Sequence, residues 1–351
     1  MSATPSHALW ALTAGGAELA IRTADLLQDA DIFLLRSVAV ESNAFRIRYF
    51  DRLADAVSLG FHRYKGHVFF MAAGIVVRMI APHLSGKTVD PAVVVVDDRA
   101  RHAISLLSGH IGGANDLARR VAASLGAAAV ITTASDVNRL PAIDVMALER
   151  GLVIENPEAI KFVQRTLLDH RPVPLYDPGG WLAEATGRSF FASTGDPSGF
   201  DGAPAGVFVD DIRVDLPPRV LVLRPGSLIA GVGCNRGTEA QEIRSLLASV
   251  FEKFGLSLSS LRSLATVSLK KDEPGLLQAA ESLGIPIRFF DKDELNRVPD
   301  IPTPSPMAAK HIGVKSVCEA AAILASERGR LIVTKHTSPN ATLAVARTAC
   351  T

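Results

Sequence analysis

The chain has 351 residues, 48% of them hydrophobic and 21% charged, with a formal net charge of +1. That length exceeds what one ordinary core takes, so two or three domains are expected, with the composition of a globular protein. The near-neutral balance without a dense basic stripe excludes a nucleic-acid binder, and the longest apolar run, residues 68–77, is about half a membrane span and is closed by Arg78. Residues 1–10 lack the basic start and hydrophobic core of a signal peptide. Cys234, Cys318 and Cys350 show neither metal-ligand spacing nor an obvious pairing, so a reducing, cytoplasmic compartment is expected.

Residues 8–13 read as a strand ending in Gly15-Gly16, residues 18–29 as a helix with Leu19, Ile21, Leu26 and Leu27 near one face, and residues 32–35 as the next strand. Such a β-α-β unit starts an open sheet with helices on its faces. Residues 50–59 read as a helix, 67–72 as a strand, and 75–80 as a short helix stopped by Pro82. Arg78 on that helix suits either a solvated surface or a carboxylate ligand. Ala92–Val96 is apolar enough for a strand buried on both faces, and Asp97-Asp98 makes a turn.

Strand His102–Leu107 and helix Ala114–Leu125 are then joined by Ser108-Gly109-His110-Ile111-Gly112-Gly113. Glycines here let the backbone take positive φ and let a ligand approach the main chain. Free N–H groups at a helix start suit an anion or a developing oxyanion. His110 can exchange a proton near neutral pH. The same residues also suit a tight connection with a structural histidine. Gly126 fits a helix C-cap, and a strand over 128–131 runs toward Asp136. His110 and Asp136 both fall just past strand ends, where ligands sit in open α/β sheets; Asp136 equally suits a helix N-cap.

The character of the chain changes near Asp136. Residues 144–150 and 157–169 read as helices, the second carrying Lys161 and Arg165 on a solvated face. Residues 171–218 are rich in Pro, Gly, Asp and Ser, with short strand-like pieces such as Gly206–Val209, and Leu216-Pro217-Pro218 reads as a linker. From Arg219 the strand–helix rhythm restarts with strands over 220–223 and 228–232. A second Gly-rich loop, Gly231-Val232-Gly233-Cys234-Asn235-Arg236-Gly237-Thr238, precedes a helix over 239–254, with Thr238 and Gln241 spaced as a capping box. Arg236 beside helix N–H groups suits a carboxylate or phosphate. Strand Leu261–Val267 exits into Lys270-Lys271, followed by helix Pro274–Leu283, strand Ile287–Phe290, a Pro-rich loop over 298–306 and an Ala-rich helix over 318–327. Two antiparallel strands, 331–333 and 342–347, finish the chain, with Lys335 and His336 at the turn. The expected fold is α/β: two open-sheet domains, residues 1–135 and 219–351, separated by a smaller, less regular α+β middle region, residues 136–218.

Other motifs fit poorly or are absent. Gly231-x-Gly233-x-x-x-Gly237 is one residue too long for a dinucleotide loop and lacks the acidic ribose partner. Neither Gly-rich loop ends as a Walker phosphate loop, and Ser108 has no Gly-x-Ser-x-Gly context. Cys234 beside Arg236 suits either a low-pKa thiolate or a small buried cysteine. The cations Arg78, His110, Lys161, Arg236, Lys270 and Lys335 suit a ligand with many carboxylates.

At these residues the sequence resembles the cobalt-precorrin-5A hydrolases of cobalamin biosynthesis. The resemblance lies in Gly66-His67-Val68-Phe69-Phe70-Met71-Ala72-Ala73-Gly74-Ile75-Val76-Val77-Arg78, in Lys87-Thr88-Val89-Asp90-Pro91-Ala92-Val93, and in Leu106-Leu107-Ser108-Gly109-His110-Ile111-Gly112-Gly113-Ala114-Asn115. It continues in Gly231 to Thr238 and in residues 270–277 and 313–322, covers nearly the whole chain, and keeps the family's N-terminal, middle and C-terminal order. Asn235 departs from the pattern, where a second arginine is expected. The resemblance implies a hydrolase that opens the ring-A δ-lactone of a cobalt corrinoid precursor and releases the extruded meso carbon with its methyl group as acetaldehyde. No protein-bound cofactor and no metal ligands are expected, because cobalt arrives within the anionic substrate. Other enzymes of the pathway are conceivable partners; nucleic acid and membrane are not.

Lactone opening calls for a general base and donors for the oxyanion. His110 is the candidate base, Asn115 a residue to orient either His110 or the substrate, and Asp136 the alternative catalytic group. The expected substrate-binding set is Ser108, Gly109, Gly112 and Gly113 in the loop, with Arg78, Lys161, Gly233, Arg236 and Lys270 toward the carboxylate arms. Two other readings stay open: a non-catalytic corrinoid-binding or handing-on protein, and, resting only on Gly-rich loops, a nucleotide-dependent oxidoreductase.

Overall fold

The computed structural model describes residues 6–38, 40, 46–86, 89–110, 112–138, 140–182, 190–327 and 329–349. Lys87, Thr88, Ile111 and Cys350, named above, lie outside these. The chain divides into two units, Met1–Val145 and Met146–Thr351.

The first unit carries one seven-stranded sheet. Its elements are β1 (His7–Ala11), α1 (Ala14–Leu27), β2 (Ala30–Leu35), β3 (Arg46–Phe50), α2 (Leu53–Gly60), β4 (Gly66–Phe70), α3 (Ala73–Ile80), β5 (Ala92–Val96), β6 (His102–Leu107), α4 (Ala114–Leu125), β7 (Ala128–Val130), α5 (Ala134–Val137) and α6 (Ile143–Glu149), the last running across the division between the units. Helices cover both faces, so the central strands are apolar on both sides. Leu9, Ala11, Val68, Phe70, Val94 and Val96 pack under α1 and α4. The alternate residues Ala8, Trp10, Phe69, Val93 and Val95 pack under α2 and α3, as the two-residue period of a strand requires. Helix α1 starts earlier than its apolar pattern suggests, at Ala14, because the Thr13 hydroxyl accepts the Gly16 N–H at 3.0 Å. Residues 46–50 are a polar edge strand, so the helix expected over 50–59 starts only at Leu53.

The strand order is β3-β2-β1-β4-β5-β6-β7. Strands β1 to β5 are parallel, but β6 opposes β5, with Val93 facing Leu107 and Val96 facing Ala103, and β7 is parallel to β6. The connection over 97–101 is too short for a crossover. The Asp97 carboxylate closes it by accepting the N–H groups of Arg99 at 3.0 Å and His102 at 2.6 Å. The carboxyl ends of β6 and β7 therefore lie at the opposite edge of the sheet from those of β1–β5.

The second unit carries two five-stranded sheets. The first is built from β8 (Val153–Ile154), β9 (Val173–Tyr176), β10 (Phe191–Ser193), β11 (Gly206–Val209) and β12 (Val220–Arg224), with helix α7 (Ile160–Leu168). Its order is β10-β9-β11-β12-β8, parallel except for β8. The middle region is thus more regular than its composition suggests, and it extends to Arg224. Residues 220–224, assigned above to the C-terminal domain, pair with β11, and Pro217-Pro218 lies within this sheet's connections rather than between sheets. Asp136 and the residues to Val145 belong to the first unit.

The last sheet comprises β13 (Leu228–Cys234), α8 (Ala240–Lys253), β14 (Leu261–Val267), α9 (Pro274–Leu283), β15 (Ile287–Phe290), the short helices α10 (Lys292–Asn296) and α11 (Pro306–His311), α12 (Cys318–Ala325), β16 (Arg330–Thr337) and β17 (Ala341–Arg347), in strand order β15-β14-β13-β17-β16. The closing hairpin β16–β17 is antiparallel, as expected, but Lys335 and His336 lie within β16 rather than at the turn. Helix α12 lies so close to β13 that a Cβ at Gly231 would overlap the Cys318 carbonyl oxygen. Gly231→Ala should therefore force backbone apart and lower stability by roughly 1–3 kcal/mol. A thermal melt reads this, and an unchanged midpoint would show that α12 retreats freely.

Candidate active site

The β6–α4 loop folds as it does for local reasons. Ser108 takes φ +57° and its hydroxyl is buried without a partner among the described residues. A Cβ at Gly112 would overlap the Ser108 side chain, and Gly113 enters α4 at φ +81°. The loop closes on itself: Gly113 N–H donates to His110 O at 2.8 Å, Ala114 N–H to Ser108 O at 3.1 Å, and Asn115 N–H to Gly109 O at 3.0 Å. The expected oxyanion donor at Gly113 is therefore already spent. Gly112 N–H has no acceptor among the described residues.

The geometry gathers His110, Asn115 and Asp136 into one cluster. His110 Nε2 lies 2.9 Å from Asp136 Oδ2 and 3.0 Å from Ser135 Oγ. Asp136 also accepts from Asn115 Nδ2 at 2.8 Å and from Arg119 Nη2 at 2.5 Å. Asn115 is itself fixed, accepting from Ser105 Oγ at 2.7 Å and donating to Thr133 Oγ1 at 3.1 Å. Burial works to raise the Asp136 carboxyl, but the hydrogen bonds and charges of Arg119 and His110 outweigh it and hold it below the usual carboxylate range. An ionised carboxylate accepts only, so neutral His110 carries its proton on Nε2 and a lone pair on Nδ1. The ring is one-fifth exposed, and Asp144 Oδ1 stands 3.9 Å from Nδ1. These contacts fix the ring's orientation and leave Nδ1 without a hydrogen-bond donor among the described residues.

Arg119, Ser135 and Asp144 are not in the set expected from the sequence. Arg119 had a signal: it lies four residues after Asn115, on the same helical face. Ser135 adjoins Asp136. Asp144 had none.

Arg78 is not brought to His110. It sits past the carboxyl end of β4, donating to Gly74 O at 3.0 Å, at the sheet edge opposite to the β6–α4 loop. Lys161, Gly233, Arg236 and Lys270 belong to the second unit. There the Lys161 ammonium lies 5.0 Å from the Phe162 ring centroid. Gly233 runs close against Thr342. Arg236 pairs with Asp272 at 3.3 Å, both largely exposed. Lys270 pairs at 3.2 Å with Glu273, which is buried and also accepts the Gly237 N–H at 2.7 Å. The second Gly-rich loop thus holds an anion of its own. The expected capping box does not form: α8 is preceded by Glu239, and the Thr238 hydroxyl donates to the carbonyls of Asn235 and Asn340. Burial pushes the Cys234 thiol up despite nearby Lys270, so it is no low-pKa thiolate. Lys335 is held by the carbonyls of Thr303 and Pro304.

Among the described residues no cluster of three or more His, Cys, Asp or Glu could hold a metal ion, and no helix is long and apolar enough to cross a membrane.

Three family models match in succession: cobalamin synthesis G N-terminal over residues 55–136, cobalamin biosynthesis central region over 141–225, and cobalamin synthesis G C-terminus over 228–346. A cobalt-precorrin-5A hydrolase of Priestia megaterium is 34% identical, covering 97% of this chain and 94% of its own. One of Salmonella typhimurium is 36% identical over 93% of each. The solved structure of CobE, a protein from the cobalamin (vitamin B12) biosynthetic pathway, is 38% identical over 34% of this chain and 89% of its own, with a TM-score of 0.33. The matched models together span most of the chain in the order of its three sheets, and the chain belongs to the cobalt-precorrin-5A hydrolase family of cobalamin synthesis.

Proposed function

We propose that this protein hydrolyses the ring-A δ-lactone of cobalt-precorrin-5A and releases acetaldehyde, with His110 as the general base. Family membership supports the reaction. The observation that supports the base is the His110 ring, closed on Nε2 by an ionised, triply bonded Asp136 and carrying its lone pair on Nδ1.

In this reading a water gives its proton to Nδ1 as its oxygen attacks the lactone carbonyl, and the Gly112 N–H is the loop donor still available to the oxyanion. Collapse leaves a carboxylate on the acetate arm and a hydroxyl on the extruded carbon. Removing that hydroxyl's proton forms the aldehyde C=O as the carbon–carbon bond to the macrocycle breaks; the electron pair of that bond passes into the conjugated macrocycle, which takes up a proton, and the two-carbon fragment leaves as acetaldehyde. No resident cofactor takes part; cobalt is carried by the substrate.

The test is to incubate the protein with the lactone and assay acetaldehyde. Corrinoid binding without acetaldehyde would favour the handing-on reading instead. Asp136→Asn should lower kcat by roughly 10²–10⁴-fold while the protein stays folded, because an amide can hold the ring but cannot stabilise the imidazolium. Steady-state kinetics beside a thermal melt reads this, and a fully active variant would remove Asp136 from the base.

A further inference from the structure

Buried carboxylates in the described residues are satisfied in one of two ways. Asp31, Asp211 and Glu273 each face a guanidinium or ammonium group. Asp90 and Glu319 each accept two backbone N–H groups. Asp144 has neither arrangement. It sits in the first turn of α6, 7% exposed, and accepts one N–H, that of Val145, at 3.1 Å. A buried carboxylate this poorly compensated is costly unless it meets a positive charge. The group that can become one is His110, whose Nδ1 is 3.9 Å away.

We propose that Asp144 is the second carboxylate of the hydrolytic base: it holds the attacking water against His110 Nδ1 and stabilises the imidazolium that forms. The proposal rests on the hydrolytic reading above. The separation is too long for a direct hydrogen bond, but one water can reach both atoms. Nδ1 and the carboxylate are both acceptors, so that water donates both protons and turns a lone pair outward to the lactone carbonyl. As its oxygen bonds to the carbonyl carbon, one proton passes to Nδ1. The imidazolium is then flanked by Asp136 on Nε2 and Asp144 on Nδ1. When the ring C–O bond breaks, the same proton passes to the leaving alkoxide oxygen, and His110 is neutral again. Asp136 and Ser135 from α5 and Asp144 from α6 are the groups facing the ring; Asn115 and Arg119 of α4 reach it through Asp136.

Asp144→Asn should lower kcat on the order of 10²-fold with KM nearly unchanged, and Asp144→Glu should recover part of the loss. The acid limb of the kcat profile should move to lower pH in Asp144→Asn, because the imidazolium loses one facing anion. A folded Asp144→Asn with unchanged kcat and acid limb overturns the role of Asp144 while leaving His110 in place. Wild-type protein that releases no acetaldehyde overturns the hydrolytic reading itself, and the role of Asp144 with it.

Discussion

His110→Gln is expected to release acetaldehyde from the lactone roughly 10²–10⁴-fold more slowly than the unsubstituted enzyme, the range typical of general-base help. The substitution is informative because glutamine can keep what is structural about His110. Its amide N–H can still donate to Asp136, so the Arg119–Asp136–Asn115 network and the turn closed by Gly113 N–H on the residue-110 carbonyl should persist. What it cannot do is take up a proton at neutral pH. His110→Ala, which also empties the ring's place, should be at least as slow. Single-turnover acetaldehyde release with near-native melting temperatures would read this cleanly. A fully active, folded His110→Gln protein would show that His110 only positions the loop, and would shift the role of base toward Asp136.

The part of the site that was legible in the sequence was legible for a topological reason. His110 follows β6 and Asp136 follows β7, and because these strands are parallel neighbours their carboxyl ends lie side by side. Asn115 falls in the first turn of the helix between them. Arg78 shows where this reading stops. It also follows a strand, β4, but the sheet reverses at β5–β6, so its strand end lies on the other edge. A signal for that reversal was present in the brevity of the 97–101 connection, which admits a hairpin and no crossover helix. Strand β3 was hidden by Arg46 and Arg48, polar residues that an edge strand tolerates and a buried strand does not. In the middle sheet Gly206–Val209 and residues 220–223 could be read as strands, but β8, β9 and β10, of two to four residues, are too short for periodicity to distinguish from loop. Asp144 could not be found from spacing, since it meets His110 only through the packing of α6.

Acid should weaken the N-terminal unit through a histidine that takes no part in the chemistry. His67 on β4 is fully buried, accepting the Trp10 indole N–H on Nδ1 at 3.1 Å and donating from Nε2 to Phe61 O at 2.9 Å, with its ring stacked on Phe61 at 5.4 Å. Both nitrogens are committed in the neutral tautomer, and a proton on Nδ1 would set a donor against a donor. Burial pushes its pKa from 6.5 down to about 4, against the Phe61 hydrogen bond, which works the other way. The unfolded chain therefore binds a proton near pH 6.5 that the native state refuses until about pH 4. The stability from this group is complete above pH 6.5 and falls as the pH drops toward 4, by about 3 kcal/mol, using about 1.4 kcal/mol per pKa unit. Urea unfolding followed by Trp10 fluorescence in a Trp181→Phe background, at several pH values from 7 to 4, would measure it. His67→Gln supplies the comparison, since its amide can accept from Trp10 and donate to Phe61 but does not titrate. The neighbouring His7, whose pKa burial also lowers, remains in both proteins, so the difference in slope isolates His67. Equal slopes in the two proteins would mean that His67 is protonated as readily in the native state as in the unfolded one, and that its burial does not govern acid stability.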